Sequence, residues 1–254
     1  MKSENIFKRY GLTPVINVSG TMTGLGAARV VPEAIQAGAN IQPCAVRIDE
    51  LQAKASQVIA RVTGAEAGFI TACSAAGISL GVCACMTGTN LNRIECLPHT
   101  EGLANHIVIQ SGHLINYGAP ISQAILLTGA GVVPVGTAAL ANIYNLEDSL
   151  DEDTAAGLFI VSHHVVQEGQ IALADFIAVC KDRGVPVIVD MASEYDLQGP
   201  LRLGADLVIY SSHKFLGGPT AGIVAGRKDL VRAAYLQNRG IGRHMKVGKE
   251  GIFG

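Results

Sequence analysis

Tryptophan is absent from this chain of 254 residues, aromatic side chains make up only 5% of it, and just 16% is charged. Nearly half is hydrophobic and 30 residues are glycine, the composition of an α/β protein whose buried parallel strands read as aliphatic runs. Neither sign of charge is in excess. The formal net charge of −2 leaves no global basic field to hold a nucleic acid or an anionic membrane, and neither is expected as a partner. No apolar run is long and uninterrupted enough to argue a membrane span. CxxC pairs are also missing. The six cysteines are Cys44, Cys73, Cys83, Cys85, Cys96 and Cys180, and Cys83-Ala84-Cys85 has no second pair, so no metal site is expected. Residues 1–10 are polar and charged and do not read as a signal peptide, which makes reduced thiols in the cytoplasm the expectation. Gly24-Leu25-Gly26 lacks the third glycine and the downstream acidic residue of a dinucleotide fingerprint.

What is present alternates. Pro14-Val15-Ile16-Asn17-Val18 reads as a strand that runs into a glycine-rich segment. Helices are expected over 32–42, with proline at the first position, and over 49–63, with Gly64 as the stop. Strands are then expected at 68–70, 106–109, 132–135, 158–161, 185–189, 206–210 and 222–226. Helices are expected between or after them at 74–86, 120–127, 173–183 and 228–237. This order predicts a mostly parallel central sheet with helices on both faces. There is no internal repeat and no low-complexity linker.

In such sheets ligands bind at the carboxyl ends of strands, and the candidate groups fall there. Lys214 lies in Ser211-Ser212-His213-Lys214-Phe215-Leu216-Gly217-Gly218-Pro219, directly after the 206–210 strand. A lysine at the end of a core strand costs free energy unless its charge is paired or chemically consumed. Asp190 ends the 185–189 strand. A strand-end lysine beside a strand-end aspartate is how a protein holds pyridoxal phosphate, the lysine as Schiff base and the carboxylate on the pyridinium nitrogen. Thr71-Ala72-Cys73-Ser74-Ala75-Ala76-Gly77 joins a strand to a helix with small residues, so amides of Ser74, Ala75 and Ala76 can approach a phosphate at a helix N-terminus, with Ser74 as hydroxyl donor and N-cap. Ser211, three residues before the lysine, is a further phosphate candidate. His113, in Ser111-Gly112-His113, is a candidate to stack on the cofactor ring or to act as acid or base, and His164 or its neighbour His163 is a candidate to donate to the ring's phenolic oxygen or to contact substrate. Successive residues of an extended segment point oppositely, so which of the pair faces inward is left open.

With these residues placed, the chain resembles the fold-type-I pyridoxal-phosphate enzymes, specifically the selenocysteine-synthase-like group. The matching stretches are Val15-Ile16-Asn17 with its glycine-rich continuation, Ser111-Gly112-His113, residues 186–190, and 211–219 with Ala221-Gly222. Asn116-Tyr117-Gly118-Ala119-Pro120-Ile121 and Ser162-His163-His164-Val165-Val166-Gln167 look closer to the D-glucosaminate-6-phosphate ammonia-lyase branch than to the branch that acts on seryl-tRNA. The early start of the Val15-Ile16-Asn17 segment also leaves out the tRNA-binding domain expected of the latter. The resemblance implies an N-terminal arm with a first strand and glycine-rich segment (1–30), a cofactor-binding large domain (31–245) and the start of a shortened C-terminal domain (246–254). It implies elimination of ammonia from a 2-amino-3-hydroxy acid, such as a phosphorylated amino sugar acid, to give a 2-keto-3-deoxy acid. Lys214 and Asp190 would serve as above, and His113 or one of His163 and His164 would protonate the departing hydroxyl. A homodimer or larger homo-oligomer is implied as well. Two alternatives stay open: a selenocysteine-synthase-like transferase or aminotransferase on the same scaffold, and a non-catalytic protein that keeps only the fold.

Overall fold

Seven short runs of mostly aliphatic residues pair into one sheet in the computed structural model, which describes residues 5–254. In chain order the strands are β1 (Ala67–Thr71), β2 (His106–Gln110), β3 (Gly131–Val135), β4 (Thr154–Ile160), β5 (Val187–Asp190), β6 (Leu207–Ser211) and β7 (Gly222–Gly226). Their order in the sheet is β1-β7-β6-β5-β4-β2-β3. Neighbours from β3 through β6 pair in parallel, whereas β7 is antiparallel to both β6 and β1. Strands β1 to β6 therefore all point the same way, and their carboxyl ends meet at one edge.

The helices are α1 (Ile6–Tyr10), α2 (Pro32–Ile41), α3 (Ile48–Thr63), α4 (Ser74–Thr87), α5 (Leu91–Cys96), α6 (Ile121–Leu126), α7 (Ile143–Ser149), α8 (Leu173–Asp182), α9 (Gly199–Leu203), α10 (Lys228–Leu236) and α11 (Lys249–Phe253). Side chains alternate across the sheet, which divides them between two cores. Along β6, Leu207 and Ile209 pack with α4, α6 and α10, while Val208 and Tyr210 pack with α3, α7 and α8. Both faces are covered, so the central strands carry apolar residues at nearly every position. Helix α4 is apolar all round because sheet, α6 and α10 enclose it. A Cβ at its Gly77 would lie 2.9 Å from Ile209 Cγ2, so glycine sets how closely this helix lies on the sheet. The α/β architecture expected from the alternation is the one found.

The N-terminal segment differs from expectation. Residues 12–18 enter no ladder among the described residues, and Ile16 and Val18 are 92% and 89% exposed. Asn17 accounts for the break locally. Its side chain accepts from Ser19 N–H and donates to the Gly20 carbonyl, so the chain turns instead of extending. The first four residues of the expected 1–30 arm lie outside the described residues. Residues 246–254, expected to open another domain, include α11, which packs on α2 and α3 with Ile252 buried.

Candidate active site

The loop after β6 carries Lys214 and is shaped by backbone bonds. Gly217 N–H donates to the Lys214 carbonyl at 3.0 Å, and Gly218 N–H to that of Ser212 at 2.9 Å. A strap from the glycine-rich segment is laced to it: Ala28 N–H donates to the His213 carbonyl (2.9 Å) and Val31 N–H to that of Gly217 (2.8 Å). Ala27, which leads into the strap, holds a φ of +57°, a conformation an alanine keeps only where its surroundings impose it. The lysine is thus presented from a braced turn. Its Nζ donates to Ser193 Oγ at 2.6 Å.

Asp190 ends β5, the neighbour of β6, in register with Ile209. Among the described residues its carboxylate accepts one hydrogen bond, from Ala192 N–H to Oδ1 at 3.0 Å. Burial pushes its pKa up to about 6, against the pull of that amide and of the Lys214 charge. Asp206, at the opposite end of the sheet, is also buried but differs. Arg227 Nη1 donates to its Oδ1 at 2.8 Å and Val187 N–H to its Oδ2 at 2.8 Å, so that acid is a paired structural group. Asp190 has no such cation bound to it. It is a buried acceptor at the carboxyl end of β5.

The turn from β1 into α4 makes the third part. Expected as N-cap, Ser74 is instead the first helical residue, and Cys73 is the cap. Cys73 has extended backbone dihedrals, and its Sγ accepts from Ala76 N–H at 3.4 Å. Ser74 and Ala75 N–H, in the first turn, are left without helical acceptors, the arrangement that binds an anion. Strand β7 fixes this turn from beside it. A Cβ at Gly222 would stand 2.2 Å from the Cys73 carbonyl oxygen and 2.8 Å from Ser74 N. Both are backbone atoms and neither can rotate away. Gly222→Ala is therefore expected to cost roughly 2–3 kcal/mol of unfolding free energy and to weaken anion binding at this turn, checked by denaturant unfolding and phosphate titration.

The other expected residues differ in burial. His113 is only 2% exposed, with its ring edge-on to Phe159 at 4.5 Å and Nδ1 accepting from Ile160 N–H at 3.2 Å. Burial pulls its pKa down to about 4. This ring belongs to the core and offers no open face to a ligand in this conformation. Ser211 is fully buried, its hydroxyl 3.2 Å from His213 Nδ1. His163 and His164 are exposed with ring centroids 3.9 Å apart, and the pKa of His164 is lowered by desolvation, by His163 and by the Lys214 charge. The lysine's field thus reaches His164. His106, Asp151 and Asp153 do converge, but at the amino ends of β2 and β4, away from the lysine. Ser193 and Cys73 carry contacts that no sequence signal marked.

The parts fit pyridoxal phosphate: amides at the head of α4 for the phosphate, the unpaired buried Asp190 for a protonated ring nitrogen, and Lys214 for the carbonyl. Together with the sheet order they define a fold-type-I pyridoxal-phosphate enzyme. The chain belongs to the SelA family, described as L-seryl-tRNA selenium transferase, whose profile matches residues 15–253. It is 43% identical to D-glucosaminate-6-phosphate ammonia lyase of Salmonella typhimurium over 98% of its length, spanning 68% of that protein. A solved structure of a D-glucosaminate-6-phosphate ammonia-lyase, also 43% identical, superimposes with a TM-score of 0.96 over 99% of this chain and 68% of its own. A 5'-C-glycyluridine monooxygenase-decarboxylase from Streptomyces is 37% identical over 98% of the chain, which spans 63% of it.

Proposed function

We propose that this chain carries the cofactor site of a pyridoxal-phosphate lyase that releases ammonia from D-glucosaminate 6-phosphate or a close 2-amino-3-hydroxy acid, leaving the 2-keto-3-deoxy acid. Water is lost from C2–C3 and regained when the C2 nitrogen leaves, so the net change is loss of ammonia alone. The observation that carries this reading is the convergence of Lys214, Asp190 and the head of α4 on one sheet edge. Identity of 43% to the lyase over 98% of the chain supports it.

When bound, pyridoxal phosphate withdraws the electron pair left at the substrate's α-carbon. The protein does the rest. Amides of Ser74 and Ala75, with Ala76 behind them, hold the phosphate. Asp190 keeps the ring nitrogen protonated by pairing with it. Lys214 Nζ leaves its bond to Ser193 and takes the Cα proton as general base. His164 delivers a proton to the departing hydroxyl. His113, held neutral by burial, positions the end of β4 through Ile160, and Ser211 positions the lysine turn through His213.

Among the described residues no helix is long and apolar enough to cross a membrane. We place the protein in the cytoplasm, since all six cysteines are free thiols. We read it as a homodimer or larger, since the exposed Leu12, Val15, Ile16 and Val18 form an apolar strip that association would cover. The test is direct. Purified chain with pyridoxal phosphate is expected to gain a near-ultraviolet to visible band that borohydride fixes to the Lys214 peptide, and to release ammonia from D-glucosaminate 6-phosphate. A band with pyridoxamine phosphate as product would favour the aminotransferase reading instead. A band without turnover of any amino acid would favour the non-catalytic one.

A further inference from the structure

Loop 191–198 leaves β5 after Asp190 and runs beside the carboxyl end of β6, fastened to the lysine-bearing element along its length. At its start Met191 N–H donates to the Ile209 carbonyl at 2.8 Å, and Ala192 N–H gives Asp190 its bond. At its end Tyr210 Oη donates to the Leu197 carbonyl at 2.8 Å, and Gln198 Nε2 reaches the Val62 carbonyl of α3 at 3.0 Å. Asp196 Oδ1 accepts from Gln198 N–H (3.0 Å) and Gly199 N–H (2.7 Å), which turns the loop into α9. Two contacts between these anchors reach the lysine turn itself. Ser193 Oγ accepts from Lys214 Nζ at 2.6 Å, and the Tyr195 ring lies against that of Phe215, with centroids 4.7 Å apart and planes tilted by 44°. A lysine amine sits on a flexible four-carbon stem with three rotatable donors, so its resting place is set by what accepts from it. Here the acceptor is a hydroxyl on the same loop that satisfies Asp190. Tyr195 is 78% exposed and adds little to the core. Its ring meets the residue next to the lysine, two positions along from the hydroxyl that holds the amine. An exposed ring in that place has a geometric use: it keeps the loop, and Ser193 with it, within reach of Nζ.

We infer that Ser193 and Tyr195 are positioning residues for Lys214: the Ser193 hydroxyl holds the free amine, and the Tyr195–Phe215 contact keeps that hydroxyl in place. When Nζ takes the Cα proton it becomes an ammonium with one more donor, and Ser193 Oγ is the acceptor beside it. That task of the amine rests on the proposed function above, whereas the holding of the amine is read without cofactor. Cofactor-free wild type, Ser193→Ala, Ser193→Thr, Tyr195→Ala and Tyr195→Phe are treated with trinitrobenzenesulfonate, and modification of Lys214 is timed by peptide mass. Exposed Lys54 on α3 is the internal reference. Ser193→Ala is expected to speed modification of Lys214 about fivefold, the scale of one hydrogen bond, and Tyr195→Ala about threefold, the scale of one aromatic pair. The threonine and phenylalanine variants keep hydroxyl and ring and should stay within about twofold of wild type, with Lys54 unchanged throughout. Lys214 rates within twofold of wild type in either alanine variant, or conservative variants as fast as the alanine ones, would overturn the inference. Tyr195 lies outside the core, so its variants decide the matter even if Ser193→Ala fails to fold. With cofactor and D-glucosaminate 6-phosphate, Ser193→Ala should lower kcat about tenfold, leave KM within about threefold and raise the isotope effect of deuterium at C2. An unchanged isotope effect would place the loss outside proton transfer and overturn the role given to Ser193. A wild-type chain that takes up no cofactor at Lys214 would overturn the proposed function instead, and the modification rates would still decide whether this loop holds the amine.

Discussion

Lys214→Ala is expected to lower ammonia release from D-glucosaminate 6-phosphate by about 10³-fold or more while leaving the fold intact. The activity loss is large because one amine has two tasks, holding the cofactor and moving the Cα proton. The stability loss is small because Nζ makes a single hydrogen bond among the described residues, to Ser193 Oγ at 2.6 Å, worth about 1 kcal/mol. The turn itself is braced from elsewhere, by the strap at Ala28 and Val31 and by the Gly217 and Gly218 amides. Three measurements separate a chemical role from a structural one. Borohydride should no longer fix cofactor to the 214 peptide. The thermal midpoint of the cofactor-free protein should move by only a few degrees. Added primary amines should restore part of the turnover, since they replace a base but cannot mend a fold. Ammonia release within tenfold of wild type would remove Lys214 from the mechanism.

The lysine was legible in the sequence because a charged residue after Leu207-Val208-Ile209-Tyr210 contradicts its surroundings, and Asp190 after Ile188-Val189 does the same. The central strands were legible because the sheet buries both faces, which turns strands into apolar runs. What escaped were features whose cause lies far along the chain. Helices α5, α7, α9 and α11 are five to seven residues long, too short for a 3.6-residue period to declare itself. Residues 14–18 have strand composition but no neighbour to pair with among the described residues, and pairing is not a property of the segment. Cys73 and Ser74 differ by one position, and the choice of cap was made by the extended backbone at Cys73, where β7 passes at Gly222. His113 read as a cofactor-stacking or acid–base candidate, and only the fold brings Phe159 on β4 and the Ile160 amide against it. Ser193 carries no motif, and only the assembled edge gives it Lys214 as a neighbour.

Asp190→Asn should expose the second half of the site through pH. In the cofactor-free protein burial holds the Asp190 pKa at about 6, above the roughly 3.9 of an unfolded chain. Folded protein then binds the proton more tightly than unfolded protein between these values. Below both, each state is protonated and nothing is lost. As pH rises from about 4 to about 6, the unfolded carboxyl ionises first, and wild-type stability should fall by on the order of 3 kcal/mol. Above about 6 the full cost of the buried charge is present. The asparagine variant carries no titrating group there and should show a flatter profile, and its advantage over wild type should reach its maximum near neutral pH. With cofactor the order reverses. A protonated ring nitrogen supplies the cation that Asp190 lacks, so the buried charge becomes an asset and the wild-type protein should gain more stability from pyridoxal phosphate than the variant does. Turnover should drop about 10²- to 10³-fold in the variant, because an amide does not hold the ring nitrogen protonated. Urea unfolding at pH 4.5 and 7, with and without cofactor, gives all four corners of this cycle. Equal cofactor stabilisation of wild type and Asp190→Asn at pH 7 would mean that the carboxylate faces something other than the ring nitrogen.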